Sequence, residues 1–445
     1  MKRFLWLFII FFLSLLSNLQ AQGYILAVGG GREDYGDWSD APYRWMVEKA
    51  EFGKIINIDV DATSNWYPAY FIHFGAAAES RALQIPDRES ANSDAVYQEL
   101  KSAKGIFIEG GNQWDYVSVW KGTKVQQAIR EIFQQGGVIG GTSAGLAVLG
   151  DVVFDAKYGS ALPQKAVYDA YIPQIHFEKN FLNLLPNILT DSHFTMRGRL
   201  GRLVPMLARL HIENPEIEFI GLGIDENTAI CIDPGLNGKV FGEATVTVLY
   251  KTGNSQINCS PGHLPTFTAI GYDQLIEGCV YDLKNKKLVD PGPYLNQTSN
   301  PPTSPEFQEL TLDGSSESTA DAGSVVIENL FSRTTAAFYG QLTQRTGQNY
   351  LPNSIIMPRL WSERDYFENR LAGAQWGVSS HPHFTAILID EYNQIQIDQN
   401  GILSTNYIVH ILDGYGMTYS GINSRGCQIP GIIGARLHFM TKKNS

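Results

Sequence analysis

From Gly23 to Gly145, short apolar runs alternate with longer amphipathic ones, and glycine is concentrated in the turns between them. This alternation limits the fold more than any other feature of the chain. Residues 24–28, 54–60, 82–85, 105–109 and 137–140 read as strands. Residues 43–49, 67–78, 93–101, 115–120 and 125–134 read as helices. Strand and helix in strict turn require parallel pairing, right-handed crossovers and helices on both faces, an α/β architecture. In such sheets ligands collect beyond the carboxyl ends of the strands. Gly29-Gly30-Gly31, Gly110-Gly111-Asn112-Gln113 and Gly141-Thr142-Ser143-Ala144-Gly145 would meet at that edge. The triple glycine is not a dinucleotide fingerprint, because Arg32, Glu33 and Asp34 follow it.

Ser143 stands where strand 137–140 turns, through two glycines, toward an apolar stretch at 146–149 that can begin a buried helix. A serine on a strand-to-helix turn of the form G-x-S-x-G projects its oxygen, and the helix start behind it offers unpaired N–H groups. A nucleophilic serine needs a base, an orienting acid and an oxyanion hole. Among nine histidines, His193 is best placed, at the end of an apolar strand spanning 187–194. Glu226 is the preferred acid. It lies in Asp225-Glu226-Asn227, between runs 218–224 and 228–232 that read as paired strands, and Asp225 would face the other way. The N–H groups of Gly111 and Ala144 are the oxyanion candidates, and Asn112 and Gln113 can add contacts to substrate.

The segment after the histidine is basic in an acidic chain. Residues 195–210 read as a helix with Leu200, Leu203, Val204, Leu207 and Leu210 on its apolar face, which Pro205 should kink or break. Arg197 and Arg202 suit a carboxylate held by guanidinium groups, whereas Arg209 reads as part of a solvated face. The formal charge of −11 argues against a nucleic-acid binder. No Cys or His spacing fits zinc, and neither a metal nor a cofactor is called for. Cys259 and Cys279 could pair in an oxidising compartment.

Four regions follow. Residues 1–21, with Lys2 and Arg3 before an apolar run that is too short to span a bilayer, read as a secretory signal peptide. The expected location is therefore secreted or periplasmic, with no lasting membrane insertion. Residues 22–292 form the catalytic domain, with β-structure at 240–251 and 267–272. Residues 293–319, rich in Pro, Ser, Thr and Asn, read as a linker or long loop. Residues 320–445 form a mixed, β-rich extension or second domain. It combines a helix-like 323–341 with strands at 383–389, 394–397 and 405–412.

Four ordered motifs carry a resemblance. They are Gly-Gly-Asn-Gln at 110–113, Gly-Thr-Ser-Ala-Gly at 141–145, Asp-x-His-Phe-x-x-Arg-Gly-Arg-x-x-Arg at 191–202 and Gly-Ile-Asp-Glu-Asn-Thr-Ala at 223–229. Together they resemble the cyanophycinase branch of the S51 serine peptidases, which also contains aspartyl dipeptidase. The resemblance implies a flavodoxin-like parallel sheet flanked by helices, related to class I glutamine amidotransferases with serine in place of their cysteine. It implies Ser143 as nucleophile, His193 as general base, Glu226 as its partner, and substrate contacts from Gln113, Arg197 and Arg202. It further implies hydrolysis of cyanophycin, a poly-aspartate backbone with arginine on its side-chain carboxyls, to β-Asp-Arg dipeptides. The partners would then be a peptide or cyanophycin-like polymer and, at most, a second copy of the chain as a homodimer. In one departure, Ser192 stands where the family carries a substrate-binding glutamine before the histidine. The alternatives are an aspartyl or isoaspartyl dipeptidase without polymer activity, and a non-catalytic exported binding protein of the same fold.

Overall fold

The computed structural model describes residues 23–299, 309–313, 315–328, 342–360, 370–400, 403–405, 408–423 and 429–441. The signal-peptide reading at 1–21 and Cys427 lie outside them, as do parts of the 293–319 and 323–341 readings. No helix among the described residues is long and apolar enough to cross a membrane.

The first sheet contains β1 (Tyr24–Val28), β2 (Ile55–Asp59), β3 (Arg81–Gln84), β4 (Gly105–Ile108) and β5 (Val138–Thr142). They run parallel in the order β3-β2-β4-β5-β1. Alternating residues feed two cores. Ile25, Ala27, Ile56, Ile58, Ile106, Ile108 and Ile139 face one layer, and Leu26, Val28, Ile55, Phe107 and Val138 face the other. Helices α1 (Asp40–Lys49) and α2 (Trp66–His73) cover the second face. The first is covered by α3 (Arg88–Ala91), α4 (Asp94–Lys101), α5 (Gln113–Trp120) and α6 (Lys124–Gln134). Helix α6 shows why: Val125, Ala128, Ile129, Ile132 and Phe133 recur at helical spacing and are all buried. The expected α/β core with flanking helices is therefore present.

After β5 comes the single turn α7 (Ala144–Ala147), and the chain then starts a second sheet. This sheet begins with β6 (Gly150–Phe154), β7 (Phe177–Lys179), β8 (Leu185–Asp191) and β9 (Ile220–Ile224). Between them lie α8 (Pro163–Ala166) and α9 (Leu200–Glu213). Strands β10 (Thr228–Ile232) and β11 (Asn237–Gly242) return to the first sheet, antiparallel beside β1. Strands β12 (Val246–Tyr250), β13 (Gln256–Asn258) and β14 (Thr266–Leu275) rejoin the second, and β15 (Val280–Asp282) and β16 (Lys287–Asp290) the first. The second sheet then continues from β14 through strands Ile429–Thr441, Ile408–Asp413, Thr385–Asp390, Leu351–Leu360 and Gly323–Glu328. The mixed C-terminal region thus extends a sheet that begins at β6.

Several local expectations change. The runs at 218–224 and 228–232 are not partners: β9 lies parallel to β8, and β10 lies antiparallel to β1 in the other sheet. Both strands are buried along their whole length, so each needs two neighbours, and the two sheets supply them separately. The apolar stretch 146–149 yields one turn instead of a longer helix, because Gly150 already pairs with β8. Helix α9 passes through Pro205, which sits near its start within a fully buried stretch and removes one backbone donor. Residues 323–328 form a strand, not a helix; Val325, Val326 and Ile327 are β-branched and lie beside Leu351–Leu360. An unforeseen helix, α10 (Arg370–Ser380), packs on this sheet. Cys259 and Cys279 are free, buried in different cores.

Candidate active site

Three loops meet at the carboxyl end of β1. Residues 29–31 follow β1, residues 192–195 follow β8, and residues 225–227 cross from β9 in one sheet to β10 in the other. Backbone hydrogen bonds knit them together. The His193 N–H donates to Gly29 O (2.8 Å), Phe194 N–H to Ile224 O (3.2 Å) and Asn227 N–H to Gly30 O (2.9 Å). The Asp225 carboxylate accepts from Thr195 N–H at 2.7 Å and from the Thr245 N–H and hydroxyl at 3.0 and 2.6 Å. Asp225 is therefore a buried brace facing away from the cleft. Its neighbour Glu226 faces the histidine.

Ser143 caps the fourth loop. Its N–H donates to Val28 O at 3.1 Å, extending the β1–β5 ladder by one rung. The next step breaks the strand: Ser143 has φ 53° and ψ −110°, an uncommon conformation for a residue with a Cβ, costing on the order of 1–3 kcal/mol. The turn can be this tight because a Cβ on Gly145 would lie 2.1 Å from Ile108 O. The Ala144 N–H opens α7, where no intrahelical acceptor exists for it. Gly110 closes the other side, its Cβ position 3.3 Å from Ser143 Cβ.

Ser143 Oγ lies 2.7 Å from His193 Nε2, and His193 Nδ1 lies 2.6 Å from Glu226 Oε1. Burial pulls the imidazole pKa below its ordinary 6.5, helped by Arg197 and Arg199 and opposed by Glu226. The hydrogen bond from His193 holds the Glu226 carboxyl below its own ordinary range. The pair is thus poised as neutral imidazole beside carboxylate, with Nε2 available to accept the serine proton.

The triple glycine, expected at the ligand edge of the sheet, proves to be part of this scaffold. Gly30 has φ +99°, and a Cβ there would lie 2.3 Å from His193 Cε1. Its signal was the run of three glycines at a strand's carboxyl end, which marks close approach by something. Gly30→Ala is expected to lower kcat/KM about 100-fold or more, since a displacement near 1 Å at a reacting group has that effect. Circular dichroism should remain that of the wild type.

The other candidates separate. Asn112 accepts from Trp114 N–H at 3.1 Å and so caps α5. Gln113, the first residue of α5, donates to Phe154 O at 3.3 Å, joining the cleft edge to the end of β6. Gly111 is exposed at the rim. Arg197 is half-buried, close enough to act electrostatically on both His193 and Glu226. Arg202 departs from its expected role. It is 2% exposed, grips Asp191 through Nε (2.7 Å) and Nη2 (2.5 Å), and also donates to Ser160 Oγ at 3.0 Å. Burial raises the Asp191 carboxyl, but Arg202 and Arg199 outweigh it and keep it ionised. Arg202→Met should therefore cost about 3 kcal/mol or more, because a buried carboxylate loses its main partner. Urea unfolding measures this; unchanged stability with a raised KM would return Arg202 to the substrate.

Two glutamates lie in the loops next to the serine turn. Glu33 accepts from Tyr43 OH at 2.9 Å and from Thr142 Oγ1 at 3.4 Å, one residue before the serine. Glu109, just before Gly110, accepts from Asn57 and from Ser64 N–H, and burial pushes its pKa to about 7. Sequence reading missed both, since an isolated glutamate at a strand end carries no distinguishing pattern. Among the described residues no group of His, Cys, Asp and Glu could hold a metal.

This geometry can be set beside known proteins. Residues 69–236 match the model of peptidase family S51, and the loops carrying Glu109, Ser143, His193 and Glu226 all lie within the matched segment. The chain is also similar to proteins named cyanophycinase. The cyanophycinase of Trichormus variabilis is 30% identical over 183 residues, 41% of this chain and 57% of the relative. That of Synechococcus elongatus is 28% identical over 190 residues, 42% and 54% respectively. The chain thus spans a little over half the length of these relatives. The crystal structure of a peptidase from an acI-B1 actinobacterium aligns with TM-score 0.42 and 18% identity, over 59% of this chain and 98% of that one.

Proposed function

We propose that this chain is a serine peptidase that hydrolyses aspartyl or β-aspartyl peptide bonds, with cyanophycin as first substrate and β-Asp-Arg as product. The observation that carries this reading is the Ser143–His193–Glu226 chain of contacts at 2.7 and 2.6 Å. Ser143 Oγ attacks the scissile carbonyl while His193 Nε2 takes its proton. Glu226 holds the Nδ1 proton and stabilises the imidazolium. The N–H groups of Ala144 and Gly111 receive the oxyanion. His193 then protonates the leaving amine, and water, deprotonated by the same histidine, releases the acyl group as a carboxylate. No cofactor enters these steps. Arg197, close enough to act electrostatically on the base and its partner, supplies a positive group that supports an acidic substrate.

In this reading residues 22–292 supply the catalytic unit, 293–319 connect it, and 320–445 enlarge its second sheet. Residues 1–21 direct export to the periplasm or exterior. A second reading, an aspartyl or isoaspartyl dipeptidase without polymer activity, is favoured by Ser192. This serine is buried, and Arg199 Nη1 covers its carbonyl at 2.7 Å and its hydroxyl at 3.3 Å. No long amide reaches substrate from this position. Purified protein assayed on cyanophycin granules, β-Asp-X and Asp-X peptides separates the two. A serine-directed phosphonate should label Ser143. Neither adduct nor turnover of any aspartyl peptide would leave only a binding protein.

A further inference from the structure

The loop leaving β6 is built in a way that the catalytic steps do not use. Asp155 is fully buried, yet its carboxylate serves only local groups: Oδ1 accepts from Lys157 N–H at 3.0 Å, and Oδ2 meets His176 Nδ1 at 2.7 Å. Ala156 is forced to φ 53°, a strained value for a residue other than glycine or asparagine. Strain and a fully buried carboxyl group, both held at one loop, point to a function for what the loop presents. It presents Lys157 and Tyr158 at an exposed turn, closed by Gly159 N–H donating to Ala156 O at 2.8 Å. Tyr158 is 55% exposed and stands edge-on to the His176 ring at 5.6 Å. Lys157 Nζ lies 4.8 Å from the Trp114 ring and 5.3 Å from the Tyr158 ring, with no acidic partner among the described residues.

The loop is tied at both ends to segments that carry site residues. Phe154 O, just before Asp155, accepts from Gln113, and Ser160 Oγ accepts from Arg202, whose partner Asp191 lies two residues before the base. We propose that Lys157, His176 and Tyr158 form a carboxylate-binding subsite at the mouth of the cleft, outside the catalytic residues. Asp155 fixes the His176 ring through Nδ1, the ring in turn holds Tyr158 edge-on, and the Lys157 ammonium beside Tyr158 supplies the positive charge for the carboxylate. On the peptidase reading, on which this proposal rests, the ligand is a free carboxylate of the substrate beyond the bond being cut. Arginine joined through its α-amino group to an aspartyl side chain keeps such a carboxylate at every repeat.

Calorimetric titration of the Ser143→Ala protein with a two-repeat β-Asp-Arg oligomer tests the subsite without turnover. A Lys157→Ala/His176→Gln pair added to that background should weaken binding at least tenfold. The same oligomer with its arginine carboxylates amidated should bind both proteins equally and as weakly. Equal affinity of the two proteins for the free oligomer, or no binding by the Ser143→Ala protein, overturns the proposal. Turnover of the oligomer by the unsubstituted enzyme is scored separately, so loss of the peptidase reading is distinguishable from loss of the subsite.

Discussion

Ser143→Ala is expected to abolish release of dipeptide from cyanophycin, a fall in kcat of roughly 10⁵-fold or more, with the thermal midpoint unchanged or raised. The reaction loses its only nucleophile at a position 2.7 Å from the base. The fold loses little, because alanine keeps the Cβ and the N–H that bonds to Val28 O. Single-turnover assays on the purified variant measure the loss. Turnover within tenfold of the unsubstituted protein would show that another group attacks the substrate. Stability is informative too. Alanine at φ 53° retains the backbone strain, so any gain should be small, coming from removal of a hydroxyl from a crowded turn.

Glu226→Gln should lower kcat/KM by on the order of 10³–10⁴-fold, the effect of losing the carboxylate that sets an imidazole's tautomer. It also makes a claim about pH. A general base works in its neutral form, and burial already places the His193 pKa below 6.5, so the acid limb of kcat/KM should lie below that value. Glu226 opposes this lowering by favouring the imidazolium. Its neutralisation therefore moves the limb to still lower pH. A limb that stays in place or rises while activity falls would show that Glu226 does not face the base in solution. Asp225→Asn serves as the contrast. It disturbs the brace to Thr195 and Thr245, and its effect should appear chiefly in stability.

Much of this was legible from residue order. Strands and helices up to Ser143 follow from apolar periodicity, and the parallel sheet follows from their alternation. Ser143, His193 and Glu226 stood out because each ends an apolar run, where a parallel sheet gathers its loops. Arg202 was misjudged for a reason that generalises. An arginine aimed at a substrate carboxylate and one aimed at a buried aspartate look alike in sequence, and only the 2% exposure of its side chain separates them. The partners of β9 and β10 were equally out of reach. Two apolar runs flanking a three-residue turn suit a hairpin, and nothing local shows that Asp191 and Val28 each bring a better neighbour.

The chain by itself therefore determined the α/β alternation, the serine turn and the residue types needed for hydrolysis, since these depend on spacing and on side chains a few positions apart. Only the tertiary structure decided how the site is held. The two acids at 225 and 226 divide into brace and partner because the chain changes sheets between them and β10. The triple glycine earns its place because the histidine ring lies against Gly30. Both facts depend on contacts between segments more than 150 residues apart, and no local pattern encodes those distances.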